Sequence, residues 1–230
     1  MLLYKGWLET RLRLLIWVLM AAFILWSVNS LAARGPLTTI VIAANVGFVV
    51  AILAGTLGGA GIVTQRSSLR PATGFHGSTV FTLSLPVTRL RLLAVRVSLS
   101  SIELCAGTAA LCAATWLLFP VLRSAVTPKE MLEYTLTMAV CGTALHFLTV
   151  LLSTFLDDVW RIYGSILVYA AIWWLPGQIP WPRFADIFGA MGKGSPLIAH
   201  SMPWNAMVFS LVLTGGLFLA ALHIVRRREY

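Results

Sequence analysis

The sequence predicts an all-α integral membrane protein: six transmembrane helices with both termini on the cytoplasmic side, an interfacial amphipathic helix at the N-terminus, and a short helix in the longest cytoplasmic loop. Three observations predict it. The 230 residues are 59% hydrophobic and only 11% charged, with a mean hydropathy of +0.87, whereas an average soluble domain is about 25% charged. A soluble fold of this size cannot hide that much apolar surface, so the surplus faces lipid. The few charges punctuate long uncharged runs. The basic residues fall mostly on alternate connections between those runs.

A helical span needs about 20 apolar residues. The stretch from Arg13 to Arg34 encloses 20 uncharged residues, Arg34 to Arg66 encloses 31, and Arg96 to Arg123 encloses 26 with Glu103 as the one charge. Glu133 to Asp157 encloses 23, Arg161 to Arg183 encloses 21, and Lys193 to Arg226 encloses 32. These runs predict spans at 14–33, 37–63, 92–119, 131–156, 160–176 and 204–225. Ser30-Leu31-Ala32 resembles a signal-peptide cleavage site, but the apolar run before it is too long for a signal h-region, and a retained span is expected.

The positive-inside rule sets the orientation. With both ends cytoplasmic, 12 of the 17 Lys and Arg residues lie inside, and Arg34, Arg123, Lys129, Arg183 and Lys193 lie outside. Most of the formal net charge of +9 is thus an orientation signal rather than a polyanion-binding face, and no nucleic-acid partner is expected. Indoles prefer the interface. Trp116, Trp173, Trp174, Trp181 and Trp204 fall at the outer level and Trp7 and Trp160 at the inner one.

Four segments are more than plain spans or turns, within a single transmembrane domain over 1–230. Residues 1–13 place Lys5, Glu9 and Arg13 on one stripe at i, i+4 and Leu3, Tyr4, Trp7, Leu8 and Leu12 opposite it, a pattern for a helix lying in the inner interface. The cytoplasmic loop 64–91 carries Phe75, Val80, Phe81, Leu83 and Leu85, too apolar for a solvated linker. A short helix over 75–84 is expected, ended by the bias of Pro86 on Leu85, with Thr88 capping span three. The outer segment 177–203 is rich in Pro and Gly and reads as a lid or re-entrant structure, with a short helix over 183–191, or else as a disordered loop. Span two carries Ala43, Gly47, Ala51, Gly55 and Gly59 at spacing four, a small-residue ridge for close helix approach, either within one subunit or between two.

No catalytic constellation is evident. His76, His146, His200 and His223 are far apart, no GxSxG is present, and Cys105, Cys112 and Cys141 lie inside apolar runs without metal-like spacing, so neither a disulfide framework nor a metal site is expected. The run Gly189 to Ser195 lacks the Lys-Ser/Thr adjacency of a phosphate loop, and the chain has no ATP site of its own. Two polar groups fall within spans. Glu103 follows Arg96 by seven residues, about 10 Å along one helix face. His146 stands among Thr135, Thr137, Thr143 and Thr149. Glu103 is expected to be protonated or hydrogen-bonded between helices, with a functional role as the alternative; for His146 interhelical hydrogen bonding is expected, and lining a path is the sharper alternative.

The segment FTLSLPVTRLRLLAVRV resembles the "LSLPVSR" region after the second span of ABC-2-type ABC transporter permeases, the exporter superfamily that includes the ABCG half-transporters. The resemblance extends to the interfacial helix YKGWLETRLR, the six spans, the cytoplasmic turn TFLDDVWRIYGS and the outer excursion before span six. It implies a permease dimer, homo- or heteromeric, with each subunit docked on a separate ATP-binding subunit that carries ATP and Mg. Phe75, His76, Thr79, Phe81, Leu85, Pro86, Thr88 and Arg89 would form the coupling helix, with Asp157, Asp158 and Arg161 as a second ATPase contact. Spans two and five would line the dimer interface and path, and the cargo would be hydrophobic or amphipathic: a lipid, peptide or drug-like molecule. The expected location is the cell membrane, as a multi-pass protein of a bacterial plasma or inner membrane surrounded by lipid. Two other classes compete. One is a non-transport scaffold or assembly protein, which needs no ATPase; the other, more distant, is an intramembrane enzyme using His146 or Glu103.

Overall fold

The computed structural model describes residues 46–47, 49–55, 89–118, 120–156, 158–179 and 182–227. The described residues are mostly helical and include no strand. The interfacial helix, span one, the coupling segment up to Thr88, and the rest of span two lie outside them. Residues 46, 47 and 49–55 are helical, and the elements that follow are α1 (Arg89–Leu118), α2 (Pro120–Ala125), α3 (Pro128–Leu152), α4 (Asp158–Trp174), α5 (Ile187–Met191), α6 (Pro196–Ala199) and α7 (Trp204–Arg227). Helical residues thus occupy the expected spans three to six, with ends shifted by a few residues.

Proline and capping chemistry set these ends. Pro120 disfavours helical geometry in the residue before it and starts α2 as its first residue. Thr127 caps α3 in extended geometry, with Pro128 in the first turn. Its Oγ1 accepts from the Glu130 backbone N–H (3.3 Å), while Glu130 Oε2 accepts from the Thr127 backbone N–H (2.8 Å). This reciprocal box satisfies two of the donors that a helix start leaves open. Thr127→Ala is expected to lose about 1 kcal/mol and to lower the melting temperature by about 2–4 °C; an unshifted thermal transition in detergent would show that the box contributes nothing.

Among the described residues, three helices are long and apolar enough to cross a membrane: Leu93–Leu118 within α1, then α3 and α7. Helix α4 has 17 residues, about 25 Å of axis against a hydrocarbon core of about 30 Å. It continues as a 3-10 turn over Leu175–Gly177. Helix α3 is the central element. Half of its apolar window is buried, against 17% for α7, and it packs on α1, α4, α5, α6 and α7.

Among the described residues the buried core falls into two parts. The larger joins Val50, Leu53, Leu104, Tyr134, Met138, Leu145 and Met191. A smaller one joins Leu93 and Val97 of α1, Val150 of α3, and Ala221 and Val225 of α7. It therefore brings the start of α1 and the ends of α3 and α7 to one end of the bundle. Arg91, Arg96, Arg226 and Arg227 belong to this end. Arg123, Lys129, Glu130, Glu133, Arg183, Asp186 and Lys193 belong to the other, in or beside the connections there. Between the charged ends, Ile102, Leu136, Ile166, Leu167, Leu211 and Val212 are exposed. An apolar girdle of this extent marks a lipid-facing surface rather than a soluble one, so the chain is a membrane protein.

The segment before α7 is folded over 182–203. The short helix expected over 183–191 is split at Asp186 into a 3-10 turn, Arg183–Ala185, and α5. Asp186 divides it because its carboxylate accepts the Gly189 N–H at 2.7 Å and so caps α5. Any β-carbon on Gly189 would collide with that carboxylate. Ala185, Ile187, Ala190, Met191 and Leu197 are buried, which seats the segment on α3 and α7. His200 ends α6 in left-handed geometry (φ 50°), and its Nδ1 lies 2.8 Å from Glu130 Oε1. Glu130, the partner of Thr127 in the α3 capping box, thereby also holds the residue that ends α6.

Candidate functional site

Of the residues expected to couple to an ATPase, Phe75, His76, Thr79, Phe81, Leu85, Pro86, Thr88 and Asp157 lie outside the described residues. Arg89 begins α1, Asp158 begins α4, and Arg161 lies in the first turn of α4. Of the small-residue ridge, Ala43 and Gly59 lie outside, while Gly47, Ala51 and Gly55 are helical and buried. Among the described residues no group of three His, Cys, Asp or Glu converges as a metal site.

The two polar residues expected within spans are both buried, on helices packed against each other. His146 on α3 is fully buried, and its Nε2 lies 3.1 Å from Ser100 Oγ on α1. Ser100 Oγ also lies 3.1 Å from the Val97 carbonyl. Ser100 has one proton, so when it serves Val97 the imidazole N–H donates to Ser100. Glu103 is buried one turn beyond Ser100. The threonine setting of His146 did not point to Ser100: helix spacing shows which residues share a face, not which face of another helix meets it. One turn along α3, Thr149 donates to the Tyr169 hydroxyl at 2.5 Å, which itself donates to the Leu145 carbonyl at 2.7 Å. Polar contacts therefore link α1 to α3 and α3 to α4. These are interhelical hydrogen bonds of the kind expected where lipid offers no alternative partner.

Beside this network lies a groove of about 1420 Å³. One wall is the small-residue face of Gly47, Ala51 and Gly55. The other is the Ser165, Ile166, Tyr169, Trp173 face of α4. Residues 183–194 and 202–206 contribute the remaining lining. The small residues create the space. A β-carbon on Gly55 would stand 3.3 Å from Tyr169 Cε2, and one on Gly47 would stand 3.4 Å from Met191 Cβ. Both glycines therefore pack against this chain's own residues at the edge of the groove.

Most of the lining is apolar, but Ser165, Arg183, Asp186, Lys193 and Asn205 are not. Arg183 and Lys193 line the groove and make no ion pair with a carboxylate among the described residues, while the Asp186 carboxylate is engaged by the cap of α5. Ser165, 1% exposed, lines the groove on α4, and its Oγ has no hydrogen-bond partner among the described residues. Its signal in the sequence was weak, a lone serine in the apolar run GSILVY. Buried hydroxyls are ordinarily satisfied by protein or water, so the Ser165 hydroxyl is open to a hydrogen-bonding partner beside the groove. No family model, characterised protein or solved structure matches the chain.

Proposed function

We propose that this chain is the permease subunit of an ATP-driven exporter of the ABC-2 type. In this reading six spans run with both termini inside. Two copies, identical or not, pair along spans two and five around a path for a hydrophobic or amphipathic cargo. Each copy docks on a separate ATP-binding subunit that holds ATP and Mg. The segment around Leu85-Pro86-Val87-Thr88-Arg89 carries the family resemblance. The observation in the fold that best supports a path is the groove: a large, mostly apolar concavity between span two and α4, with the folded outer segment contributing to its lining.

The mechanism follows from what each part can do. The chain supplies no phosphate-binding loop, so the energy enters through a contact surface. The start of α1 directly follows the apolar loop 64–88. A push on that loop by a closing ATPase dimer tilts α1, and α1 is locked to α3 through Ser100–His146. Helix α3 in turn holds α4 through Thr149–Tyr169. A displacement at the cytoplasmic end is thereby passed to the α4 wall of the groove.

Co-purification tests the reading. An ATPase subunit is expected to associate with this chain, and its ATP turnover to depend on it. Pro86→Gly combined with Arg89→Glu is expected to uncouple hydrolysis from transport, with transport falling at least tenfold while the complex persists. A chain that never associates with an ATPase, and tolerates both changes, is a scaffold instead.

A further inference from the structure

We infer that the groove binds an anionic amphiphile whose apolar body carries one hydrogen-bonding group partway along its length. Binding rests on the geometry; naming the molecule as cargo rests on the exporter reading above.

Four observations carry the inference. The space is about 1420 Å³, above the ~300–1,000 Å³ of ordinary small-molecule pockets, so a long molecule fits it better than a compact one. From Trp173 to Ser165 is eight residues of α4, about 12 Å along the axis, close to the depth of one leaflet of a hydrocarbon core about 30 Å thick. The charges among the lining residues are Arg183, Lys193 and Asp186, and the Asp186 carboxylate is already engaged by the Gly189 N–H. The two cations remain to meet an anion. A second copy docked face to face would instead bring the same cations together across the twofold axis. Finally, the orphan hydroxyl of Ser165 lies on the α4 wall. A plain hydrocarbon tail would leave it unsatisfied, at the cost that attaches to any buried unpaired polar group. A hydroxyl or amide on the ligand removes that cost.

The probes are stearate and a mid-chain hydroxystearate, both anionic and differing by one hydroxyl. Each is presented to the full chain in neutral phosphatidylcholine nanodiscs, and the retained probe is counted by mass spectrometry. The hydroxylated probe is expected to bind about five- to tenfold more tightly, the worth of one buried hydrogen bond. Ser165→Ala is expected to erase that preference while sparing stearate. Arg183→Glu with Lys193→Glu is expected to weaken both probes about tenfold or more, because a charge-assisted contact becomes a repulsion. Ala170→Trp fills the groove from an exposed position on α4 and is expected to displace both.

Equal binding of the two probes, retention of the preference in Ser165→Ala, or indifference to the charge reversal would overturn the inference. So would a wild-type chain that retains neither probe, as when a second copy fills the groove. None of these measurements contains an ATPase. Binding without any ATPase association leaves this site standing and removes the exporter reading. Coupled hydrolysis without selective binding removes this site alone.

Discussion

Replacing Gly142 with leucine is expected to destabilise the protein by at least about 3 kcal/mol and to collapse the groove wall. Gly142 lies mid-way along α3, where a β-carbon would stand 2.8 Å from Val50 Cγ1 and 3.9 Å from Leu104 Cδ2. Val50 and Leu104 are both fully buried in the larger core, so neither side chain has open space to retreat into. Alanine separates the two effects at stake. It gains about 1 kcal/mol of helix propensity over glycine and loses about 1–3 kcal/mol to overpacking. The expected net for Gly142→Ala is therefore between neutrality and a loss of about 2 kcal/mol. Leucine keeps the propensity gain and adds three further carbons to the clash. Thermal unfolding of both variants in detergent checks the order. A leucine variant as stable as wild type would mean that the stretch within 46–55 does not pack on α3 at this point. Because that stretch carries Gly47, Ala51 and Gly55, its displacement also removes one wall of the groove.

The second large effect is expected at Tyr169. Its ring packs on Gly55 and its hydroxyl bridges Thr149 and Leu145. Tyr169→Ala removes a buried aromatic ring, a change worth about 3–5 kcal/mol. Tyr169→Phe keeps the ring and removes the bridge. Interhelical hydrogen bonds in membranes average about 0.6 kcal/mol and reach about 1.7 kcal/mol, so the phenylalanine variant is expected to fold with a small loss. If the exporter reading holds, it also loosens α4 from α3, and transport per ATP falls more than stability does. A phenylalanine variant as unstable as the alanine one would show that the hydroxyl, not the ring, holds α4 in place.

The fold was legible to different depths in different places. The apolar runs between charges located α1, α3, α4 and α7 within a few residues, because lipid exposure and backbone satisfaction leave a long apolar segment little choice but helix. Thr127-Pro128-Lys129-Glu130 is a complete capping signature, and reading it moves the start of span four from 131 back to Pro128. The segment 177–203 was legible as breaker-rich and as carrying a short helix over 183–191, but not as divided within it. Its buried side chains, Ile187, Met191 and Leu197, lie among prolines and glycines that hide the periodicity. Its division at Asp186 follows from the carboxylate capping α5 through the N–H of Gly189, three residues on, an N-cap signal obscured by the glycines and prolines around it.

The candidate site was less legible than the fold. Glu103 and His146 stood out because charge and imidazole are rare in apolar runs. Ser100, Ser165 and Tyr169 did not, because serine and tyrosine are ordinary there. Their importance lies in partners 46 residues away (Ser100 with His146), 20 residues away (Tyr169 with Thr149), or, for Ser165, in having none among the described residues.

What the sequence by itself determined is membrane residence, the helical class and the placement of the charges, since each is a local consequence of transferring residues between water and lipid. It also held the stretch around Pro86 on which the family resemblance rests. Only the tertiary structure decided that Gly47 and Gly55 pack within their own chain, that α3 is the hub, and that Arg183, Lys193 and an orphan Ser165 line one apolar groove. The physical reason is that burial from water is a property of each segment alone. Packing depends on which side chains from distant segments reach the same few ångströms, and in a membrane the apolar faces available for lipid and for protein are chemically alike.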